Sequence, residues 1–202
     1  IRCGDNCYME GITLIHPAGY VTRIGNNGHL DNVKCLAWYF STDAYSMGDN
    51  SLVENSFSKV TDDHSKAVAN RVMDKNNTYF MQMNGSAVAF SYNVYSDIDE
   101  YTMKNCDVLH AEDVWDSPVI ETKHGGGANM SNYLLEDIRV EGNCYSLFGL
   151  AIRNNEWVDH QERLYGQLSN LTFRNIDVEG EVTTANWIWG RTPTDNFENI
   201  LF

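Results

Sequence analysis

The sequence is poor in the features that mark several common protein classes. Lys and Arg together number 14 against 28 Asp and Glu, which gives a formal net charge of −14. Because phosphate binding needs clustered cations, this charge argues against a nucleic acid or an anionic membrane as a partner. No run approaches the roughly 18 apolar residues that mark a membrane span. The charge also disfavours a polyuronate substrate and favours a neutral polymer such as a glucan.

Cysteine motifs and convincing helical periodicity are scarce as well. The five cysteines are Cys3, Cys7, Cys35, Cys106 and Cys144, so at least one has no partner within the chain. Cys3 and Cys7 are close enough to pair, although spacing alone does not decide it. We expect Cys35 and Cys106 to be small buried hydrophobic residues. Neither a CxxC pair nor His-rich spacing indicates zinc, and we expect no metal and no cofactor.

A recurring hexamer is what the sequence does contain. It reads apolar, charged, then Asn, Gly or Asp, followed by positions of which the fourth and sixth are usually apolar or small. The copies are MEGITL (9–14), LDNVKC (30–35), VENSFS (53–58), DKNNTY (74–79), MKNCDV (103–108), LEDIRV (135–140), FRNIDV (173–178) and FENILF (197–202). Their starts are separated by 21, 23, 21, 29, 32, 38 and 24 residues. Self-similarity at roughly 20–50 residues indicates a solenoid or another repeat architecture.

The chemistry of the hexamer is that of a strand. Apolar and polar residues alternate, and the third position carries residues that tolerate a left-handed backbone bend. We therefore predict an all-β fold, a right-handed parallel β-helix of about eight rungs, as a single domain over residues 1–202. Both ends interrupt a rung, so we expect a fragment, or a homo-oligomer in which a second copy covers the open strand edges.

Three carboxylates follow the first strand of consecutive rungs. Asp43 comes eight residues after one hexamer, and Asp62 and Asp63 come four and five residues after the next. In a β-helix these offsets could bring them together on one outward face. Glycosidic hydrolysis needs such a group, with one carboxyl protonated as general acid and another ionised as general base.

The residues around these carboxylates resemble a known family. The stretches YMEGITLIHPAG, WYFSTDAYSMGDNSLVENSFSKVTDDHSKA and NGSAVAFSYNVYSDIDEYTMKNCDVLHAE occur in an order similar to that of glycoside hydrolase family 49, the dextranase and isopullulanase group of pectinase-like β-helix hydrolases. This resemblance implies a secreted, inverting endo-hydrolase of α-glucans. It also implies that Asp62 is the general acid, and that Asp43 and Asp63 position or deprotonate the attacking water.

Five other side chains are predicted to contact the polysaccharide. They are Lys66, His64, Tyr45, Tyr92 and Trp115, chosen because aromatic rings stack on sugars and cations or imidazoles bind hydroxyls. Two alternatives remain open at this point. One is a non-catalytic glycan-binding or structural β-helix, and the other is a polygalacturonase-like hydrolase or a polysaccharide lyase on the same fold.

Overall fold

The computed structural model describes residues 1–90, 94–113, 117–153 and 166–202. Over these ranges the chain is all-β, and the helical element is one short 3-10 helix, Ala111–Asp113. No helix in the described ranges has the length and apolar character needed to cross a membrane. The all-β prediction is thus confirmed.

The strands are short in the first half of the chain and longer in the second half. In chain order they are β1 (Arg2–Cys3), β2 (Tyr8–Glu10), β3 (Thr13–Ile15), β4 (Thr22–Ile24), β5 (His29–Asp31), β6 (Lys34–Leu36), β7 (Tyr45–Met47), β8 (Leu52–Glu54), β9 (Phe57–Lys59), β10 (Ser65–Lys66), β11 (Val72–Lys75), β12 (Thr78–Phe80), β13 (Val88–Ala89), β14 (Ile98–Leu109), β15 (Ile120–His124), β16 (Met130–Val140), β17 (Phe148–Ile152), β18 (Leu168–Val178), β19 (Trp187–Trp189) and β20 (Phe197–Leu201).

Two parallel sheets organise these strands. One sheet has eight strands in the order β1-β4-β7-β10-β13-β15-β17-β19, so each strand pairs with the equivalent strand of the next repeat. The second sheet begins as two runs, β2-β5-β8-β11 and β3-β6-β9-β12, which join at the bent strand β14 and continue through β16, β18 and β20. This parallel pairing between successive repeats is consistent with a β-helix-like fold.

The register of the second sheet reproduces the hexamer. The first residues of seven copies pair in one column, namely Met9, Leu30, Val53, Asp74, Met103, Leu135 and Phe173. The eighth copy, FENILF, does not continue this column, because Phe197 pairs with Leu168 and not with Phe173. Its similarity is to the segment that precedes the seventh hexamer, so the prediction that it is an equivalent eighth copy is wrong.

The predicted bend at the third hexamer position is present in every copy. All eight of these residues have a positive φ, namely Gly11, Asn32, Asn55, Asn76, Asn105, Asp137, Asn175 and Asn199. Neighbouring amides also bond to each other, as where Asn105 Nδ2 donates to Asn76 Oδ1 at 2.8 Å. Asn is favoured here because it tolerates the left-handed conformation and its side chain can continue a ladder of hydrogen bonds.

The core lies between the sheets and is mostly aliphatic and aromatic. Cys35, Cys106 and Cys144 are buried free thiols, which confirms the first two as small core residues. Cys3 and Cys7 form a disulfide, so that pairing exists. The core contains one carboxylate in an apolar column, because Asp74 is fully buried between Val53 and Met103 in the register.

Candidate functional site

The three predicted carboxylates meet at the amino-terminal ends of two neighbouring strands of the eight-stranded sheet. Asp43 lies two residues before β7, and Asp62 and Asp63 lie just before β10. Because Tyr45 pairs with Ser65, Asp43 is brought beside Asp63. One carboxylate oxygen from each of the three lies within 4.8 Å of the others. We call these three residues the carboxylate cluster.

Lys66 forms ion pairs with two members of the cluster, Asp63 and Asp43. Its Nζ lies 2.5 Å from Asp63 Oδ2 and 3.4 Å from Asp43 Oδ1. The lysine side chain is only 13% exposed, so these contacts are largely shielded from solvent. Asp62 instead accepts the Asp63 backbone N–H at 3.0 Å, and it is half-buried. The cluster is therefore asymmetric in charge.

The ionisation of the cluster follows from its burial and crowding. Burial raises the pKa of Asp62 to about 7, and the charges of Asp63 and Asp43 add to the increase. Burial also raises the pKa of Asp43 to about 6, although the nearby Lys66 opposes that change. For Lys66, burial favours the neutral amine, but the carboxylates outweigh it and its pKa lies above the ordinary value. Because its pKa is raised further than that of Asp43, Asp62 keeps its proton to the higher pH of the two.

Two supporting residues could not be found from the hexamer pattern. The Ser86 backbone N–H donates to Asp63 Oδ1 at 3.0 Å, and its hydroxyl lies 3.3 Å from Glu121 Oε2. Gly85 has a φ of +81°, and a Cβ there would lie 2.1 Å from the carbonyl carbon of Asp62. Any larger residue at position 85 would clash with the backbone of Asp62, so the close approach of these two segments requires glycine.

The structure corrects two of the predicted substrate contacts. Tyr45 is fully buried, and its hydroxyl donates to main-chain oxygens of Val33 and Phe57 within the core. His64 is also fully buried, with Nδ1 2.6 Å from Ser58 Oγ, and burial lowers its pKa to about 3. Neither side chain can contact a polymer on the outer face. Alternation along β7 sends Tyr45 inward. His64 lies just before β10, where it and the adjacent Ser65 are both buried, so alternation alone does not predict its position.

Three predicted substrate contacts remain, and the structure describes one of them. Lys66 lies at the cluster, as stated above. Tyr92 and Trp115 lie outside the described residues. An aromatic loop that precedes Asp43 is exposed, with Trp38 and Tyr39 at 52% and 58% exposure, so these two rings are not core residues.

A groove of about 520 Å³ opens beside Lys66 at the other end of the same strands. It is lined by Tyr20, Asp49, Lys66 and residues 68–70 and 94–98. Lys66 lines the groove and also contacts two carboxylates of the cluster, so it connects the two features. This groove could not be predicted from the sequence, because its lining residues come from segments of unequal length.

Two groups in the described part of the chain have the donor types of a metal site. One is the carboxylate cluster, and the other consists of His29, Asp31 and Glu54. In the first group Lys66 already supplies a positive charge to two carboxylates. In the second group Glu54 is paired with Lys75 at 2.9 Å and with His29 at 2.8 Å. A lysine thus contacts carboxylates in both groups. The expectation of no metal stays a prediction.

The comparison with protein-family models finds no match, and the comparison with curated proteins finds no similar sequence.

Proposed function

We propose that this chain is a right-handed parallel β-helix that hydrolyses a polysaccharide internally, with an α-glucan as the polymer and inversion at the anomeric carbon. The parallel pairing of successive repeats supports the helix, and parallel crossovers are right-handed in nearly all proteins. The observation that carries the function is the carboxylate cluster, in which three carboxylate oxygens approach within 4.8 Å beside a buried lysine.

In this proposal Asp62 is the general acid. Its carboxylate accepts the Asp63 backbone N–H, and burial together with the charges of Asp63 and Asp43 raises its pKa to about 7. A carboxyl that holds its proton near neutrality can protonate the leaving glycosidic oxygen. Its half-buried position also leaves it accessible to a polymer on the outer face.

Asp43 and Asp63 form the basic half of the proposed site. Both oxygens of Asp63 are occupied, one by Lys66 Nζ and the other by the Ser86 N–H, so Asp63 is a positioning residue. Asp43 has one contact with Lys66 at 3.4 Å and a pKa of about 6, so it is ionised above that pH and can deprotonate water. The acid and base functions thus fall to different residues of one cluster.

The spacing of the oxygens bears directly on the stereochemistry. Inverting sites usually hold their two carboxyls about 6.5–9.5 Å apart, and retaining sites about 5–5.5 Å apart. The closest approach in the cluster, within 4.8 Å, favours retention if Asp43 attacks the sugar directly. Inversion requires a water between Asp43 and the anomeric carbon, on the face of the sugar opposite to Asp62. We propose inversion on the family resemblance, and the anomeric form of the first product, read by NMR, distinguishes the two.

The test of the function is the release of reducing ends from dextran, pullulan, other α-glucans and polygalacturonate. We expect turnover of a neutral α-glucan, and Asp62→Asn should lower it by about 10²–10⁴-fold, the usual contribution of a general acid. Asp177→Asn is the matched control, because Asp177 is an exposed carboxylate away from the cluster.

Each result of that test has a definite meaning. Turnover of polygalacturonate alone would replace the glucan with a uronate polymer. Cleavage that leaves an unsaturated product would indicate a lyase. Glycan binding without turnover of any polymer would leave a non-catalytic binding protein and overturn the hydrolase.

A further inference from the structure

The groove beside Lys66 offers aromatic surface as well as polar groups. Tyr20 and Tyr95 lie in its lining, and they are 37% and 57% exposed. Its volume of about 520 Å³ is within the roughly 300–1,000 Å³ typical of ligand sites. Exposed tyrosines in a concave polar site provide flat surfaces on which the apolar faces of sugar rings can pack.

The polar part of the groove is held in place by the main chain. Asp49 Oδ1 accepts the Asn70 backbone N–H at 2.9 Å, and Asp97 Oδ1 accepts the Asn129 N–H at 2.8 Å. Asn70 Oδ1 in turn accepts the Asp99 N–H at 2.9 Å. These side chains therefore have fixed orientations, so a ligand that bonds to them pays little entropy to order them.

The charges of the groove select against an acidic sugar. Its lining contains two carboxylates, Asp49 and Asp97, and one cation, Lys66. That cation is already in contact with Asp63 and Asp43. A uronate carboxylate would meet two like charges, whereas the hydroxyls of a neutral sugar can donate to the same carboxylates.

We propose that this groove is a binding site for a neutral oligosaccharide, with Tyr95 as its stacking surface. The proposal rests on the proposed function for the placement of the scissile bond, because Lys66 is the one described residue common to the groove lining and the ion pairs of the cluster. The binding itself does not depend on turnover. Arg23 lies 3.7 Å from the Tyr20 ring centroid and holds that ring in place, so Tyr95 is the ring that is more open to a ligand.

The test measures binding by calorimetry with the Asp62→Asn variant, so that turnover cannot interfere. The probes are glucose hexasaccharides with α-1,6 and with α-1,4 linkages, and a galacturonate hexasaccharide. We expect one neutral probe to bind and Tyr95→Ala to weaken it about tenfold or more, equal to about 1.4 kcal/mol. Tyr8→Ala is the matched control, because Tyr8 is also 57% exposed but lies on the other sheet, and we expect less than a twofold change.

The outcomes separate this inference from the hydrolase proposal. Loss of affinity in Tyr95→Ala supports the inference even if the wild-type chain shows no turnover. Hydrolysis by the wild type, with an unchanged KM in Tyr95→Ala, would overturn the inference and leave the hydrolase standing. Tighter binding of the galacturonate probe than of either glucose probe would also overturn it, and so would the binding of no probe.

Discussion

The segment TDDHSK places two polar clusters on opposite sides of the same strand. Outside, Asp62 and Asp63 belong to the carboxylate cluster with Lys66. Inside, His64 and Ser65 point into the core, where Ser65 donates a hydrogen bond to the buried Asp74. We call Ser58, His64, Ser65, Asp74 and Tyr101 the interior cluster.

Burial raises carboxyl pKa values on both sides, but the consequences differ. Asp62 outside has a pKa of about 7 and Asp74 inside has a pKa of about 6. Asp62 is half-buried and reachable from solvent, whereas Asp74 is fully buried and bonded to hydroxyls. A raised pKa can therefore indicate either a catalytic acid or a stability-linked proton, and accessibility decides between them.

The largest expected effect on the outer cluster comes from a change that leaves its carboxylates intact. In Gly85→Ala the added Cβ would lie 2.1 Å from the Asp62 backbone, which cannot move aside without displacing the cluster. We expect a loss of roughly 2–4 kcal/mol in the free energy of unfolding and a large loss of activity. Urea denaturation and the hydrolysis assay measure these two effects.

Gly142→Ala is the control for that change. Gly142 also has a positive φ, of +71°, but the nearest atom to its added Cβ would be 4.0 Å away. We expect only the conformational cost of about 1 kcal/mol and unchanged activity. Equal losses in the two variants would show that backbone conformation, and not contact with the cluster, sets the effect.

The interior cluster predicts that folding stability decreases as the pH rises, because of the buried Asp74. Because the folded pKa of Asp74 is about 6 against an ordinary 3.8, the folded chain holds a proton that the unfolded chain has lost between those values. Stability is therefore highest below about pH 4 for this group and falls as the pH rises through 6, by about 3 kcal/mol. In Asp74→Asn that contribution disappears, and the difference between the two proteins, measured from pH 4 to 7, isolates it.

A specific result of the Asp74→Asn comparison would contradict this prediction. The outer carboxyls with raised pKa values change stability in the same direction, so the wild-type curve alone does not identify Asp74. Parallel stability curves for the wild type and the variant would show that Asp74 does not hold a proton in the folded chain.

A smaller effect is expected when the outer cluster loses its cation. In Lys66→Met the positive charge that lowers the pKa of Asp43 is absent, so burial and the charge of Asp63 raise that pKa unopposed. We expect the low-pH limb of the kcat/KM profile to move up by about one pH unit or more, with lower activity at pH 6. Lys104→Met removes a cation from an acidic partner on the other sheet, Glu136, and should leave the limb in place. If the low-pH limb of the kcat/KM profile did not move in Lys66→Met, Lys66 would not set the pKa of the base Asp43.

Much of the fold could be predicted because the repeat carries its own backbone chemistry. The third hexamer position bends in every copy, and seven copies pair in register. FENILF was assigned to the wrong column because two bends in each repeat have similar residues, with Asn170 and Asn199 equivalent. Sequence spacing alone does not distinguish the two bends.

The candidate site could be predicted only in part. Asp43 and Asp63 follow directly from strand pairing, and Asp62 adjoins Asp63. Tyr45 was misassigned because its proximity in sequence outweighed the alternation that sends it inward. Gly85 packs against the Asp62 backbone and Tyr95 lines the groove. Neither position could be predicted, because the loops that contain them differ in length from one repeat to the next.

For Asp62 to act as the general acid, it must carry a proton near neutrality while a neighbouring carboxylate is ionised. The most direct test is the titration of the Asp62 side-chain carboxyl by carbon NMR, assigned by comparison with Asp62→Asn. We predict a midpoint near pH 7 that moves downward in Asp43→Asn, because one neighbouring negative charge is removed. A midpoint near the ordinary value of 3.8, unchanged in Asp43→Asn, would contradict the assignment of Asp62 as general acid.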